Sequence, residues 1–88
     1  MNVFYDPAFL EKLKKVDVKI RKSVKERMLL FSNSPDDPRL DNHPLQEEYR
    51  EYRSIDIASD HRAIYKVVQI GEEIVAYFVA LGTHKELY

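Results

Sequence analysis

The stretch 62-RAIYKVVQIGEEIVAYFVAL-81 carries the strongest structural signal in this sequence. Its two halves, residues 62–70 and 73–81, are rich in the β-branched and aromatic residues that favour strands. Between them, Gly71 and the glutamates beside it form a connection short enough for a β-hairpin. We therefore predict that these two segments are neighbouring antiparallel strands.

A third strand is predicted just before this hairpin, in 52-YRSIDIA-58. Ile55 and Ile57 alternate with polar residues, so both side chains face the same side of a strand. Consecutive strands with short connections favour an antiparallel sheet that carries its helices on one face. The opposite face of the sheet is then free to form a site.

Two helices are predicted ahead of the sheet. A short β-prone stretch, NVFY, is followed by Asp6 and Pro7, which suit a helix N-cap and the first helical position. The helix that they start, PAFLEKLKKV, is expected to turn Leu10 and Leu13 inward. Asp17 then caps a second helix.

The second helix has one apolar stripe, at spacings of four, four and three residues. Its members are Ile20, Val24, Met28 and Phe31. The predicted order is β-α-α-β-β-β, an α+β fold with the N-terminal helix pair on one face of an antiparallel sheet and a short C-terminal tail.

The segment 32-SNSPDDPRLDNHPL-45 separates the helices from the three strands. It contains three of the four prolines and a cluster of turn-forming residues, so we predict a loop. Long loops in small domains are often functional.

Composition limits the classes of protein and of site. The 88 residues predict one domain, residues 1–88, and the 44% of hydrophobic residues suit a globular fold. Without cysteine there is no disulfide, thiolate zinc site or cysteine nucleophile. No apolar run approaches the ~20 residues of a membrane span. We expect a cytoplasmic protein without a membrane partner.

Charge is distributed unevenly although the net charge is only −1. Residues 11–27 hold eight basic and three acidic side chains, whereas residues 36–60 hold eight acidic and three basic ones. The basic segment is either a docking face or the solvated surface of two helices. Charge alone leaves both interpretations open, and the second is the more common.

The chemically versatile side chains are scattered at strand ends and in loops. His43, His61 and His84 share no spacing typical of metal ligands, and no glycine-rich phosphate loop is present. His, Asp, Arg and Tyr remain, which are the residue types of general acid–base catalysis combined with anion stabilisation.

Three motifs together resemble the RelE/ParE superfamily of small toxins from bacterial type II toxin–antitoxin systems. They are HPL in the loop, DHRAIY at the entry to a strand, and the ending VALGTHKELY. The tail GTH with a terminal aromatic is similar to the branch that includes the mRNA interferases YafQ and HigB. This resemblance implies a RelE-like domain that cleaves mRNA on the ribosome, needs no cofactor or metal, and is restrained by a cognate antitoxin.

The resemblance also implies roles for five residues. His84 matches a tail histidine that acts as general acid or base, and Tyr88 matches the terminal aromatic that lies against the RNA. Arg62 matches an arginine near the scissile phosphate. Asp60 matches an acidic residue at the start of this strand, and His43 matches the HPL histidine.

This assignment is consistent with the chemistry of RNA cleavage. A base must activate the ribose 2′-hydroxyl and an acid must protonate the leaving 5′-oxygen, and histidine suits both near neutral pH. Arginine is always charged and fork-shaped, so it suits hydrogen bonding to the phosphate oxygens. Six cations are candidates for contacts with RNA or the ribosome: Lys12, Lys15, Lys19, Lys22, Arg53 and Lys85.

The sequence departs from the YafQ-like pattern at three positions. Ala80 stands where those relatives carry an arginine, Asp56 where they carry a histidine, and His61 where they carry an aromatic. Two alternatives therefore stay open. One is a non-enzymatic toxin of the ParE type that inhibits DNA gyrase, and the other is a catalytically weakened toxin that mainly binds its antitoxin.

Overall fold

Five strands and three helices make up the computed structural model, which describes residues 1–88. The elements are β1 (Asn2–Tyr5), α1 (Pro7–Lys15), α2 (Val18–Asn33), β2 (His43–Pro44), β3 (Tyr52–Asp56), β4 (His61–Ile70), β5 (Glu73–Thr83) and α3 (His84–Leu87). Two short 3₁₀ helices, Pro38–Leu40 and Glu47–Tyr49, interrupt the long connection between α2 and β3. None of the helices combines the length and the apolar character needed to cross a membrane.

The strands form one sheet in the order β1-β5-β4-β3-β2. The predicted antiparallel arrangement of β3, β4 and β5 is confirmed. The β4–β5 turn consists of Gly71 and Glu72, and Gly71 has a φ of +62°, which glycine adopts without the clash that a Cβ would cause. This hairpin is the centre of the fold.

The two edges of the sheet add pairings that the sequence pattern did not indicate. Strand β1 runs parallel to β5, from Asn2 opposite Val75 to Tyr5 opposite Phe78, so the sheet is mixed rather than antiparallel throughout. Within the predicted loop, β2 pairs antiparallel with β3. Strands of four and two residues are too short for their sequence to indicate a partner or a direction.

Aromatic rings fill the core between the helices and the sheet. Phe9, Phe31 and Phe78 are fully buried. The Phe78 centroid lies 5.3 Å from that of Phe31 and 5.9 Å from that of Phe9, both in edge-to-face geometry. Such pairs add to the free energy gained by burying the rings.

The helix caps and the stripe of α2 agree with the prediction, whereas one residue of α1 does not. Asp6 and Asp17 cap α1 and α2 by accepting hydrogen bonds from the backbone two residues later. Leu10, predicted to face inward, is 42% exposed, and Phe9 takes the buried position because its ring stacks on Tyr5. Leu13 packs against the core, four residues after Phe9 on the same helix face.

Candidate functional site

The C-terminal turn positions two of the predicted site residues. Thr83 caps α3 by accepting a hydrogen bond from the Glu86 backbone N–H at 3.2 Å, and the Glu86 carboxylate accepts one from the Thr83 N–H at 2.8 Å. This capping box starts a single helical turn. His84 and Tyr88 therefore lie one turn apart, with ring centroids separated by 4.7 Å.

Gly82 allows that turn to fold closely onto the sheet. A Cβ at Gly82 would lie 3.2 Å from a carboxylate oxygen of Glu86 and 3.4 Å from the Leu87 side chain. Gly82 is also the cross-strand partner of Arg62. Because Gly82 has no side chain, the tail can lie close to β5, next to the strand that carries Arg62.

His43 is oriented by its own loop. Its Nδ1 lies 2.7 Å from the backbone oxygen of Asp41, and a carbonyl oxygen can only accept a hydrogen bond. Nδ1 is therefore the donor of this hydrogen bond, and in the neutral imidazole this tautomer leaves Nε2 as an acceptor for a proton from a bound ligand.

The loop before β2 is anchored by Asn42. The Asn42 amide donates to the Tyr65 hydroxyl at 2.8 Å and to the Pro35 oxygen at 3.0 Å, and its carbonyl oxygen accepts from Arg53 Nε at 2.9 Å. Arg53 is the cross-strand partner of Tyr65, and its guanidinium is engaged beneath the loop. The structure does not bring this predicted RNA contact to the other site residues.

Arg62 forms an ion pair with Asp56, its cross-strand partner. Arg62 Nε lies 3.0 Å from a carboxylate oxygen that is buried and has no well-aligned hydrogen bond, so charge attraction dominates the contact. Asp60 forms no ion pair with Arg62. The Asp60 side chain is exposed, and its backbone oxygen accepts a hydrogen bond from the His84 N–H at 3.2 Å.

A polar cavity of about 520 Å³ brings together four of the five predicted catalytic residues. It is lined by Asp41, His43, Pro44, Leu45, Gln46, Arg62, His84 and Tyr88. Asp60 does not line it. No three His, Asp or Glu side chains lie close enough together to hold a metal ion.

An apolar cavity of about 520 Å³ adjoins the polar one on the free face of the sheet, and the two share Leu45 and Tyr88. Its lining consists of Leu45, Tyr49, Tyr52, Ile64, Val79, Ala80, Leu87 and Tyr88. Sequence reasoning missed Tyr49 and Tyr52 as site residues. The alternation in β3, which turns Tyr52 away from the core face of Ile55, was the available signal.

The predicted docking lysines differ in their surroundings. Lys12 Nζ forms an ion pair with the Glu86 carboxylate at 2.5 Å. The hydrogen bond from Lys12 is the main cause that lowers the pKa of Glu86 to about 2. The remaining lysines are exposed and form no ion pair: Lys15, Lys19, Lys22 and Lys85.

Solved structures share this fold over nearly the whole chain. YafQ from E. coli superposes with a TM-score of 0.78 at 24% identity, covering 99% of this chain and 97% of YafQ. A YoeB/ParE toxin from Agrobacterium tumefaciens gives 0.76 at 17% identity, covering 96% and 99%. The RelB–RelE antitoxin–toxin complex from Methanococcus jannaschii gives 0.69 at 23% identity, covering 97% and 94%. These likenesses establish a RelE-like α+β fold.

The family assignment comes from the sequence itself. Among curated proteins, none matches this chain significantly. Residues 3–88, however, match the family described as ParE toxin of type II toxin–antitoxin system, parDE. The resemblance to the RelE/ParE superfamily is thereby confirmed, and the chain belongs to the ParE toxin family of type II toxin–antitoxin systems.

Proposed function

We propose that this toxin is a ribosome-dependent endoribonuclease that cleaves mRNA by acid–base chemistry without a metal ion. The observation that carries the proposal is the polar cavity, in which two imidazoles, one guanidinium and one phenol converge. These side chains are His43, His84, Arg62 and Tyr88. A protein that only binds its target needs no such set of proton-transfer groups.

The proposed reaction is an internal transesterification of the RNA backbone. The ribose 2′-oxygen attacks the adjacent phosphorus while its proton passes to a base. The bond between phosphorus and the 5′-oxygen breaks, and an acid protonates that oxygen. The products are a 2′,3′-cyclic phosphate and a 5′-hydroxyl end.

The hydrogen bonds of the site support an assignment of roles. His43 is the base, because its Nδ1 proton is held by Asp41 and Nε2 is free. His84, the other imidazole that lines the cavity, is then assigned as the acid. Arg62 pairs with Asp56 through Nε, which leaves Nη2 of its fork-shaped guanidinium to offset charge on the phosphate. Tyr88 stacks against a nucleobase of the RNA, a contact worth ~1–3 kcal/mol per nucleobase in single-stranded RNA recognition.

The proposed partners are a cognate antitoxin and the ribosome with its mRNA, in the cytoplasm. Support for the antitoxin is that the similar RelE structure is an antitoxin–toxin complex. For the ribosome, the support is the set of exposed lysines without ion pairs, since cations that neutralise phosphates add affinity. These are Lys15, Lys19, Lys22 and Lys85. Lys12 and Arg53 are engaged within the protein and are weaker candidates.

A second candidate function is a ParE-type toxin that binds its target without cutting RNA. The family match favours it, because the matching family is named for ParE. A third candidate is a catalytically weakened toxin that mainly binds its antitoxin. Ala80 and Asp56 favour it, because each stands where the YafQ-like pattern has a cation or proton carrier.

The test is expression of the wild type and of His84→Ala in a cell that lacks the antitoxin, with mRNA 5′ ends mapped alongside growth. We expect arrested growth and new cuts inside translated reading frames, both lost in the variant. Arrest without cuts would support the ParE-type function. A folded protein that causes neither would indicate that the site has lost its chemistry.

A further inference from the structure

We propose that Lys12 and Glu86 form a clasp between α1 and α3 that holds His84 and Tyr88 over the polar cavity. Lys12 is then a positioning residue that acts through Glu86, and not a contact for RNA. The catalytic consequence rests on the proposed function, whereas the clasp itself does not.

The tail needs such support because it is a single turn. Helix α3 has four residues, and an isolated turn is unstable in water since nucleation costs more than one hydrogen bond returns. Besides the capping box, two backbone hydrogen bonds hold it, from the His84 N–H to the Asp60 oxygen and from the Tyr88 N–H to the His84 oxygen. All of these partners lie in the tail or in the loop before β4.

Glu86 is the side chain that links the tail to the helix layer. One carboxylate oxygen accepts the Thr83 N–H at 2.8 Å, and the other accepts Lys12 Nζ at 2.5 Å. Because Lys12 lies in α1, whose Phe9 is part of the main core, the contact joins the tail to a helix that is packed on the core.

The clasp is partly shielded and keeps its charge. The side chains of Lys12 and Glu86 are 32% and 46% exposed. The Lys12 hydrogen bond, followed by the one from the Thr83 backbone, lowers the pKa of Glu86 to about 2, so the carboxylate stays ionised in mild acid as well as at neutral pH. A lysine neutralised in this way has little attraction left for a phosphate, in contrast to exposed Lys15 in the same helix.

The clasp lies beside the close approach of the tail to Gly82. The Glu86 carboxylate passes within 3.2 Å of the position a Cβ would occupy at Gly82. In this arrangement, with the tail against β5, Glu86 reaches both Thr83 and Lys12. Because His84 belongs to the same single turn as Glu86, the clasp and the placement of His84 are coupled.

The experiment is a double-mutant cycle on the full chain with Lys12→Ala, Glu86→Gln and their combination. Glu86→Gln retains an oxygen for the capping box and removes the charge that Lys12 needs. Lys15→Ala is the matched control, and Lys12→Arg is the conservative variant expected to restore the contact. Amide hydrogen exchange of His84 and Tyr88, and the ring-current shift that Tyr88 imposes on the His84 ring protons, report on the tail without any assay of activity.

If the clasp exists, each single variant speeds exchange of the tail amides about two- to five-fold, the range of a partly exposed ion pair, and reduces the ring-current shift. The combination has no larger effect than either single change, because both remove one interaction. The tail amide exchange and the ring-current shift of Lys15→Ala and Lys12→Arg match those of the wild type. Tail exchange and ring shifts that do not respond to Lys12→Ala would overturn the clasp.

Cleavage of ribosome-bound mRNA then separates the two roles of Lys12. A clasp predicts that Lys12→Ala and Glu86→Gln change kcat and KM in the same way and non-additively, because both changes release His84 and Tyr88. An RNA contact predicts that Lys12→Ala raises KM while Glu86→Gln does not, which would contradict the positioning role. A wild-type protein that cuts no RNA overturns the proposed function, and the exchange data still decide the clasp.

Discussion

Arg62 and Asp56 face each other across β4 and β3, with the guanidinium Nε 3.0 Å from a buried carboxylate oxygen. The Asp56 carboxylate is an anion that competes with an RNA phosphate for this arginine. We expect Asp56→Asn to free Arg62 and to tighten binding of an uncleavable RNA analogue by about five-fold, the upper range for a partly exposed ion pair. Fluorescence anisotropy measures this.

Asp60→Asn is the control for that change, since Asp60 is exposed and does not contact Arg62. It should leave the affinity close to that of the wild type. Weaker binding by Asp56→Asn would instead mean that Asp56 orients the guanidinium toward the phosphate.

His84→Gln should slow mRNA cleavage by about 10²–10⁴-fold, the usual contribution of a general acid or base. His61→Gln is the matched control, because His61 lies in β4 outside the polar cavity. Primer extension on ribosome-bound mRNA measures both rates. Equal losses in the two variants would argue against a specific role for His84.

Gly82→Ala should displace the tail and reduce cleavage while the rest of the protein stays folded. The new Cβ would lie 3.2 Å from a Glu86 oxygen and 3.3 Å from the Glu86 Cβ, closer than most such contacts. NMR spectra should show changes confined to α3 and its neighbours.

Gly71→Ala should lower the stability of the protein without affecting cleavage. Its added Cβ meets nothing within 4 Å, but a φ of +62° strains alanine, costing about 1 kcal/mol or more of stability. Cleavage by Gly71→Ala at a permissive temperature should be unaffected.

A Gly82→Ala protein whose tail resonances are unchanged in the NMR spectrum would contradict the role given to Gly82.

The loop that carries His43 should loosen in acid through Asp37. Asp37 caps the 3₁₀ helix and pairs with Arg39 at 2.9 Å, and the Arg39 hydrogen bonds lower the pKa of Asp37 from 3.8 to about 2. Because the folded-state pKa is the lower one, the stabilisation is fully present above pH 3.8 and is lost as the pH falls toward 2.

Urea unfolding at several pH values tests this expectation. Asp37→Asn should have a smaller decrease in its unfolding midpoint between pH 4 and 2 than the wild type, as the depressed pKa of about 2 for Asp37 requires. Parallel curves for the two proteins would mean that other carboxylates account for the loss.

Phe78→Ala should destabilise the protein by about 3–5 kcal/mol, because a fully buried aromatic ring leaves a cavity. Ile74→Ala, at a position 57% exposed on the same strand, should change the free energy of unfolding by less than about 0.5 kcal/mol. Chemical denaturation measures both values. Similar losses at the two positions would contradict the assignment of Phe78 to the core.

Local patterns predicted most of this fold. The β4–β5 hairpin, the caps at Asp6 and Asp17, and the stripe of α2 follow from residue spacing, because turns, caps and periodic burial depend on neighbours in the chain. The HPL and GTH motifs indicate His43 and His84 only through the family resemblance that these motifs carry. The lining of a common cavity by these residues depends on the sheet, which brings the loop and the tail to one end.

Long-range contacts account for what the sequence pattern did not indicate. Phe9 rather than Leu10 is buried because Tyr5 and Phe78 offer it a stacking surface. The parallel edge at β1 joins residues far apart in the chain. The engagement of Arg53 by Asn42 and the opposition of Arg62 to Asp56 depend on the register in which neighbouring strands pair. A charge in a sequence does not reveal whether it faces solvent or a partner. That depends on which strands and helices pack together, because burial and pairing arise only when the chain is folded.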